Sequence, residues 1–371
     1  MDYNELKAKM HEAKSELKPF ERLQKYFAGE EVDHIPYNLL AVNEALCEIY
    51  GYTTSQMDND FEILAEVVER GIQDSYTDGV GIGLGLRTLG AAMGTTLHYP
   101  DHGIDNVVKH ILQDYDDWDK MIDPDPYNNK ILTPMLEKAA KLKERFPGLM
   151  ITTSVTGPIS TAIAILPVEK VLRDSRKNPE KLKELIALGV DNSLRWVEAF
   201  TKEIGPAPAS IADPVTCTDI LSDKQFEVFS LPELKRLALG MKEITGFKPA
   251  LHICGHTKGF WSYFKELEIS SFSVDNCEDL AETREALGDT ITIVGNVPPV
   301  DVLRNGSIDD VINSVKDCIR KGATSSKGYI LSSGCQVPIG TPKENLEAYL
   351  YALRKYGQGA KIGALPKGLK D

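Results

Sequence analysis

The chain has 371 residues, 42% of them hydrophobic and 26% charged, enough apolar material for a large core. Lys and Arg total 42 against 55 Asp and Glu, and the resulting net charge of −13 repels phosphate backbones, which argues against a nucleic-acid partner. No stretch approaches the run of about 18 apolar residues that a membrane span needs, and the opening MDYNELKAKMHEAKSELKPFERLQKYFAG lacks an apolar targeting core, so we expect a cytoplasmic protein with reduced thiols.

Residues 1–30 form a polar, charge-mixed pattern that predicts helices placed before the first strand. From there short apolar runs alternate with helical stretches. The runs are His34–Leu40, Tyr76–Leu84, Leu149–Val155, Ala209–Asp213, Pro249–Cys254, Ser271–Asp275, Ile291–Asn296 and Gly328–Ser333. Amphipathic stretches fall at Pro179–Glu203, Leu231–Thr245, Ala281–Leu287, Ile308–Lys321 and Glu344–Tyr356. Ser230 ahead of Leu231-Pro232-Glu233 reads as an N-cap, and Thr341-Pro342-Lys343-Glu344 reads as a capping box. Strands separated by helices pair in parallel, because a parallel crossover needs a helix-length connection. Eight of them predict an α/β fold, a (β/α)8 TIM barrel with extra N-terminal helices, as a single domain over residues 1–371. The tail at 358–371 is expected to be weakly ordered.

Polar residues gather at the ends of these runs. Asp213 ends the fourth, His252 and Cys254 the fifth, Asp275 the sixth and Asn296 the seventh, while Cys335 follows the eighth just past Gly334. In a (β/α)8 barrel the C-terminal strand ends share the face on which active sites are built. Residues two apart on a strand point the same way, so His252 and Cys254 can face the interior together. One imidazole and two thiolates suit Zn²⁺, with three protein ligands and one exchangeable place. On spacing alone the alternative stays open that these cysteines are small buried residues. Cys47, Cys217, Cys277 and Cys318 read as structural, His256 as a surface neighbour, and the glycines of DGVGIGLGL (78–86) do not match a nucleotide-loop spacing.

The triplet His252-x-Cys254 with the distant Cys335 resembles the zinc signature of the methylcobamide:coenzyme M methyltransferases, a branch of the uroporphyrinogen decarboxylase superfamily. The resemblance runs from about residue 18 to 357 and is carried by LHICGHT (251–257), FSVDN (272–276), IVGNVPPVDVL (293–303), GYILSSGCQVP (328–338) and TPKENLEAYLYALRKYG (341–357), with echoes in VTGPIS (155–160) and IADP (211–214). It implies a (β/α)8 barrel with zinc on His252, Cys254 and Cys335, and Asp275 as an exchangeable fourth ligand with a catalytic role. It also implies methyl transfer between a corrinoid cobalt and a small thiol such as coenzyme M. Transfer from a methylated or methoxylated donor to Co(I) is the alternative, but two thiolate ligands make zinc a poor Lewis acid. A DxHxxG cobalt-ligating motif is absent, so the corrinoid is expected on a separate partner protein. Asp213, Asn296, Asn38 and Asn43 are candidate polar groups of the substrate or corrinoid pocket. A decarboxylase reading lacks its arginine-rich motif, since the stretch before the first strand is RLQKYFAGEEVDHIPYN. A non-enzymatic barrel with a structural zinc is the third reading.

Overall fold

The computed structural model describes residues 1–11 and 15–370. Eight strands make the central sheet: β1 (Tyr37–Asn38), β2 (Gly79–Gly81), β3 (Met150–Thr156), β4 (Ala209–Ala212), β5 (Ala250–Ile253), β6 (Ser271–Val274), β7 (Thr292–Val297) and β8 (Tyr329–Ser333). Their order along the sheet is β1-β8-β7-β6-β5-β4-β3-β2, so the strands follow one another in chain order and the first lies beside the last. This is the ordering of a (β/α)8 barrel, preceded by helices Tyr3–Met10 and Pro19–Phe27. Leu40, just past β1, donates its amide to the carbonyl of Tyr76, just before β2, at 3.0 Å.

The chain groups into two units. One comprises Met1–Tyr52, Glu66–Asp78 and Ser271–Asp371 and carries β1, β6, β7 and β8. Its strands run parallel, with Ser271 opposite Thr292, Ile293 opposite Tyr329, and Leu331 opposite Tyr37. β7 is buried along nearly its whole length, as expected for a parallel strand covered on both faces. Helix Ile308–Gly322 begins in a capping box between Ser307 and Asp310 and buries Ile308, Val311, Ile312, Val315 and Ile319 along one stripe. Gly322 is obligatory there, because a Cβ would lie 2.5 Å from the Tyr329 ring.

The other unit comprises Thr53–Ala65 and Gly79–Ser270 and carries β2 to β5. Gly79 lies opposite Met150, Thr153 opposite Ala209, and Ser210 opposite Ala250, again in parallel. A hairpin of Thr96–His98 against Asn106–Lys109 sits in the long stretch after β2. The 26-residue helix Pro179–Ile204 buries Leu182, Leu185, Ile186, Trp196 and Phe200. No described helix is long and apolar enough to cross a membrane.

Four local expectations change. The run His34–Leu40 holds the end of one strand, Val32–His34, and the whole of β1, which pair with different partners on either side of Pro36. Within the described tail, Gln358–Ala360 pairs antiparallel with Val32–His34, and Lys367 reaches Glu31 at 2.6 Å. Ser230 does not cap. It already has helical dihedrals at the end of a π-turn, Phe226–Ser230, and the start lies upstream, where Ser222 and Gln225 make a capping box. Thr341 does not cap either; its hydroxyl donates to the Pro338 carbonyl at 2.7 Å, and Pro342 is the cap residue.

Candidate metal centre

β5 and the residue after it read Leu251-His252-Ile253-Cys254, and burial alternates along them. Leu251 and Ile253 are fully buried, while His252 and Cys254 are half-buried on the other side. This is the two-residue period of a strand, and it brings His252 Nε2 within 3.1 Å of Cys254 Sγ. Gly255 follows with φ +75°, a left-handed turn that ends the strand direction just past Cys254.

Cys335 comes from the loop after β8. Among the described residues, the one group of three or more His, Cys, Asp or Glu side chains able to hold a metal is His252, Cys254 and Cys335, each offering one atom, all within 4.8 Å of one another. Asp275, one residue past β6, is not in that group; its Oδ1 accepts the amide of Cys277 at 3.0 Å. Cys277 itself is exposed, and partial desolvation together with the Asp275 charge pushes its thiol up to about 12.

The uroporphyrinogen decarboxylase (URO-D) family profile matches residues 18–356. The chain belongs to the URO-D family. Within it, the chain is 31% identical over 219 residues to the methylated-thiol–coenzyme M methyltransferase of Methanosarcina mazei, a match that spans 58% of this chain and 56% of that protein. It is 23% identical to methylcobamide:CoM methyltransferase MtaA of Methanosarcina barkeri, over 90% of this chain and 97% of the relative. It is 25% identical to methylcobamide:CoM methyltransferase MtbA of Methanosarcina acetivorans, over 92% and 99%. A solved methyltransferase from Methanosarcina mazei has the same fold, with a TM-score of 0.77 at 22% identity over 91% of this chain and 98% of that one. These relatives place the chain in the methyltransferase branch of the URO-D family, as an enzyme.

Three of the four polar candidates make hydrogen bonds to backbone groups. Asn43 caps helix Glu44–Ile49, its Oδ1 accepting the amides of Ala45 and Leu46 at 3.1 and 3.3 Å. Asp213 is fully buried, and its Oδ1 accepts the Ser160 amide at 2.9 Å, capping helix Pro158–Ile165 from outside its own chain segment. Burial pushes its carboxyl above the usual range, and the hydroxyls of Ser160 and Thr216 draw it back. Gly157 must be glycine beside it, since a Cβ would lie 2.4 Å from the Asp213 side chain. Asn296 clamps the loop that carries Asp275, and Asn38 is exposed at the end of β1. His256 is also exposed, with Nδ1 at 3.0 Å from Asp219.

Residues that hold the loops escape a reading of the sequence. Gly83 lies against Ser154 with no room for a Cβ, so the glycine-rich stretch after β2 is explained by close backbone packing. Gln336, next to Cys335, donates to Glu44 at the start of the helix capped by Asn43. Only adjacency to a candidate ligand and to a candidate pocket residue could have signalled that pair.

Proposed function

We propose that this chain is a zinc-dependent methyltransferase that moves a methyl group between the cobalt of a separate corrinoid protein and a small thiol. The observation that carries the reading is the group formed by His252, Cys254 and Cys335, whose donor atoms lie within 4.8 Å of one another. One nitrogen and two sulfurs form the donor set that Zn²⁺ prefers, and tetrahedral zinc with bonds of about 2.0–2.3 Å separates its ligand atoms by roughly 3.5–3.8 Å. The three side chains therefore suit the ion with small rotamer adjustments and leave a fourth place for substrate.

His252, Cys254 and Cys335 would hold the ion, and Asp275 would fill the fourth place until a substrate displaces it. When bound, zinc would lower the pKa of an incoming thiol so that it stays as thiolate at neutral pH. The protein's part is electrostatic. A neutral imidazole and two thiolates bring a charge of −2, so a third sulfur anion leaves the centre negative and its lone pair available. With the ion bound, the thiol substrate would be the methyl acceptor, and the electron pair of the broken carbon–cobalt bond would stay with the partner's corrinoid. The relatives named for methylcobamide and CoM support both partners of this exchange, and the one named for a methylated thiol supports sulfur as the atom that carries the methyl group.

Metal analysis combined with zinc X-ray absorption tests the reading. The expected result is about one zinc per chain, lost in His252→Ala and Cys335→Ala, with the zinc gaining a sulfur neighbour when coenzyme M or another substrate thiol is added. Metal-free wild-type protein, or an unchanged sulfur count with every thiol tried, would overturn it.

A further inference from the structure

Two of the three proposed ligands are set by strand geometry, but Cys335 is not. It lies two residues past the end of β8, in a segment without regular structure. Something other than the sheet must set the direction of its side chain.

The residues on either side of it are both tied down. Gly334 donates its amide to Val297 at 2.9 Å and passes so close to the next loop that a Cβ would lie 2.5 Å from the Asn276 nitrogen. Gln336 donates from Nε2 to Oε1 of Glu44. Glu44 is a firm anchor. It opens helix Glu44–Ile49, which Asn43 caps and whose Ala45, Leu46 and Cys47 are buried. Cys335 is thus suspended between two fixed points one residue away on each side.

We infer that Glu44 is a positioning residue for Cys335, acting through Gln336 to hold the third ligand toward the metal. The inference rests on the zinc reading above. The Gln336–Glu44 hydrogen bond is exposed, so its loss removes little global stability and acts on the loop alone. Partners that orient a metal ligand typically change metal affinity 10- to 100-fold when removed, about the range expected here.

The test is competition for zinc between the purified full-length protein and a chromophoric chelator, with the thermal midpoint of the metal-free protein measured alongside. Glu44→Ala and Gln336→Ala should each weaken zinc binding roughly 10- to 100-fold, while the metal-free midpoint stays at the wild-type value. Glu44→Gln keeps a carbonyl acceptor and should restore affinity close to wild type, which separates the hydrogen bond from the charge. The double variant should be no weaker than either single one, since both remove the same bond. Wild-type affinity in Glu44→Ala, or no recovery in Glu44→Gln, would overturn the inference while leaving zinc binding intact. Failure of the wild type to bind zinc, or full affinity in Cys335→Ala, would instead overturn the ligand assignment and this inference with it.

Discussion

The side-chain amide of Asn296 donates to the carbonyls of both Asp275, at 3.1 Å, and Glu278, at 2.9 Å. One residue at the end of β7 thereby shapes the loop that follows β6. Asn296 is nearly inaccessible, so water cannot replace both bonds. Asn296→Ala should cost about 2–3 kcal/mol, because two carbonyls lose their donor. Asn296→Asp has only acceptors to offer and should be no better. Urea denaturation measures both; a loss below about 0.5 kcal/mol, the scale of an ordinary surface substitution, would show that the clamp is unimportant.

Zinc should stabilise the fold by mass action. A ligand present at about 1,000 times its Kd contributes about 4 kcal/mol when it binds only the native state. Chelation should then lower the thermal midpoint of the wild type by several degrees. His252→Ala and Cys335→Ala should start near the chelated value and respond little to chelator. A wild-type midpoint that ignores both zinc and chelator would contradict the metal centre.

Gly81, the last residue of β2, and Gly83, just after it, make unequal predictions. A Cβ on Gly83 would lie 2.3 Å from the Ser154 nitrogen and 2.6 Å from its carbonyl oxygen, both backbone atoms that cannot move aside. Gly81 has only the Thr152 hydroxyl nearby, at 3.5 Å. Gly83→Ala should cost about 2–3 kcal/mol or more, and Gly81→Ala less than about 1 kcal/mol. Equal losses in chemical denaturation would mean that close packing is not why glycine stands at position 83.

His34 makes the stability depend on pH. Its ring is buried between the carbonyl of Ile35, at 2.9 Å, and the Ser15 hydroxyl, at 3.0 Å, near the buried Arg22–Asp33 pair. Burial first, and the Arg22 charge second, lower its pKa from 6.5 to about 4. The unfolded chain therefore takes up this proton at higher pH than the native one. The His34 contribution is complete above about 6.5 and is lost as pH falls toward about 4, by roughly 3 kcal/mol at most. Comparing thermal midpoints at pH 7 and pH 5 in wild type and His34→Gln isolates it. The wild type should lose more on acidification; equal losses would exclude His34 as the source.

The parts of this protein that are written locally are legible in its sequence. Seven of the eight runs coincide with strands to within a few residues, because these strands bury at least every second side chain and are separated by helix-length connections. The shared direction of His252 and Cys254 follows from strand pleating alone. The side-chain amides and carboxylates are less legible. Position along the chain assigns Asn43, Asn296 and Asp213 to a pocket, yet each is engaged by a helix start or a loop carbonyl. A hydrogen bond to a backbone group leaves no periodic trace in the sequence.

Residues a few positions apart are enough to set the order of strands and helices and the pairing of two metal-ligand candidates on β5, and composition alone sets the acidic charge. All of that can be read from the chain in one dimension. Two other relations required the folded molecule: Gln336 reaches Glu44, and Asn296 holds the loop that carries Asp275. They depend on residues tens to hundreds of positions apart, and their geometry is set by loop backbones held in place by distant partners.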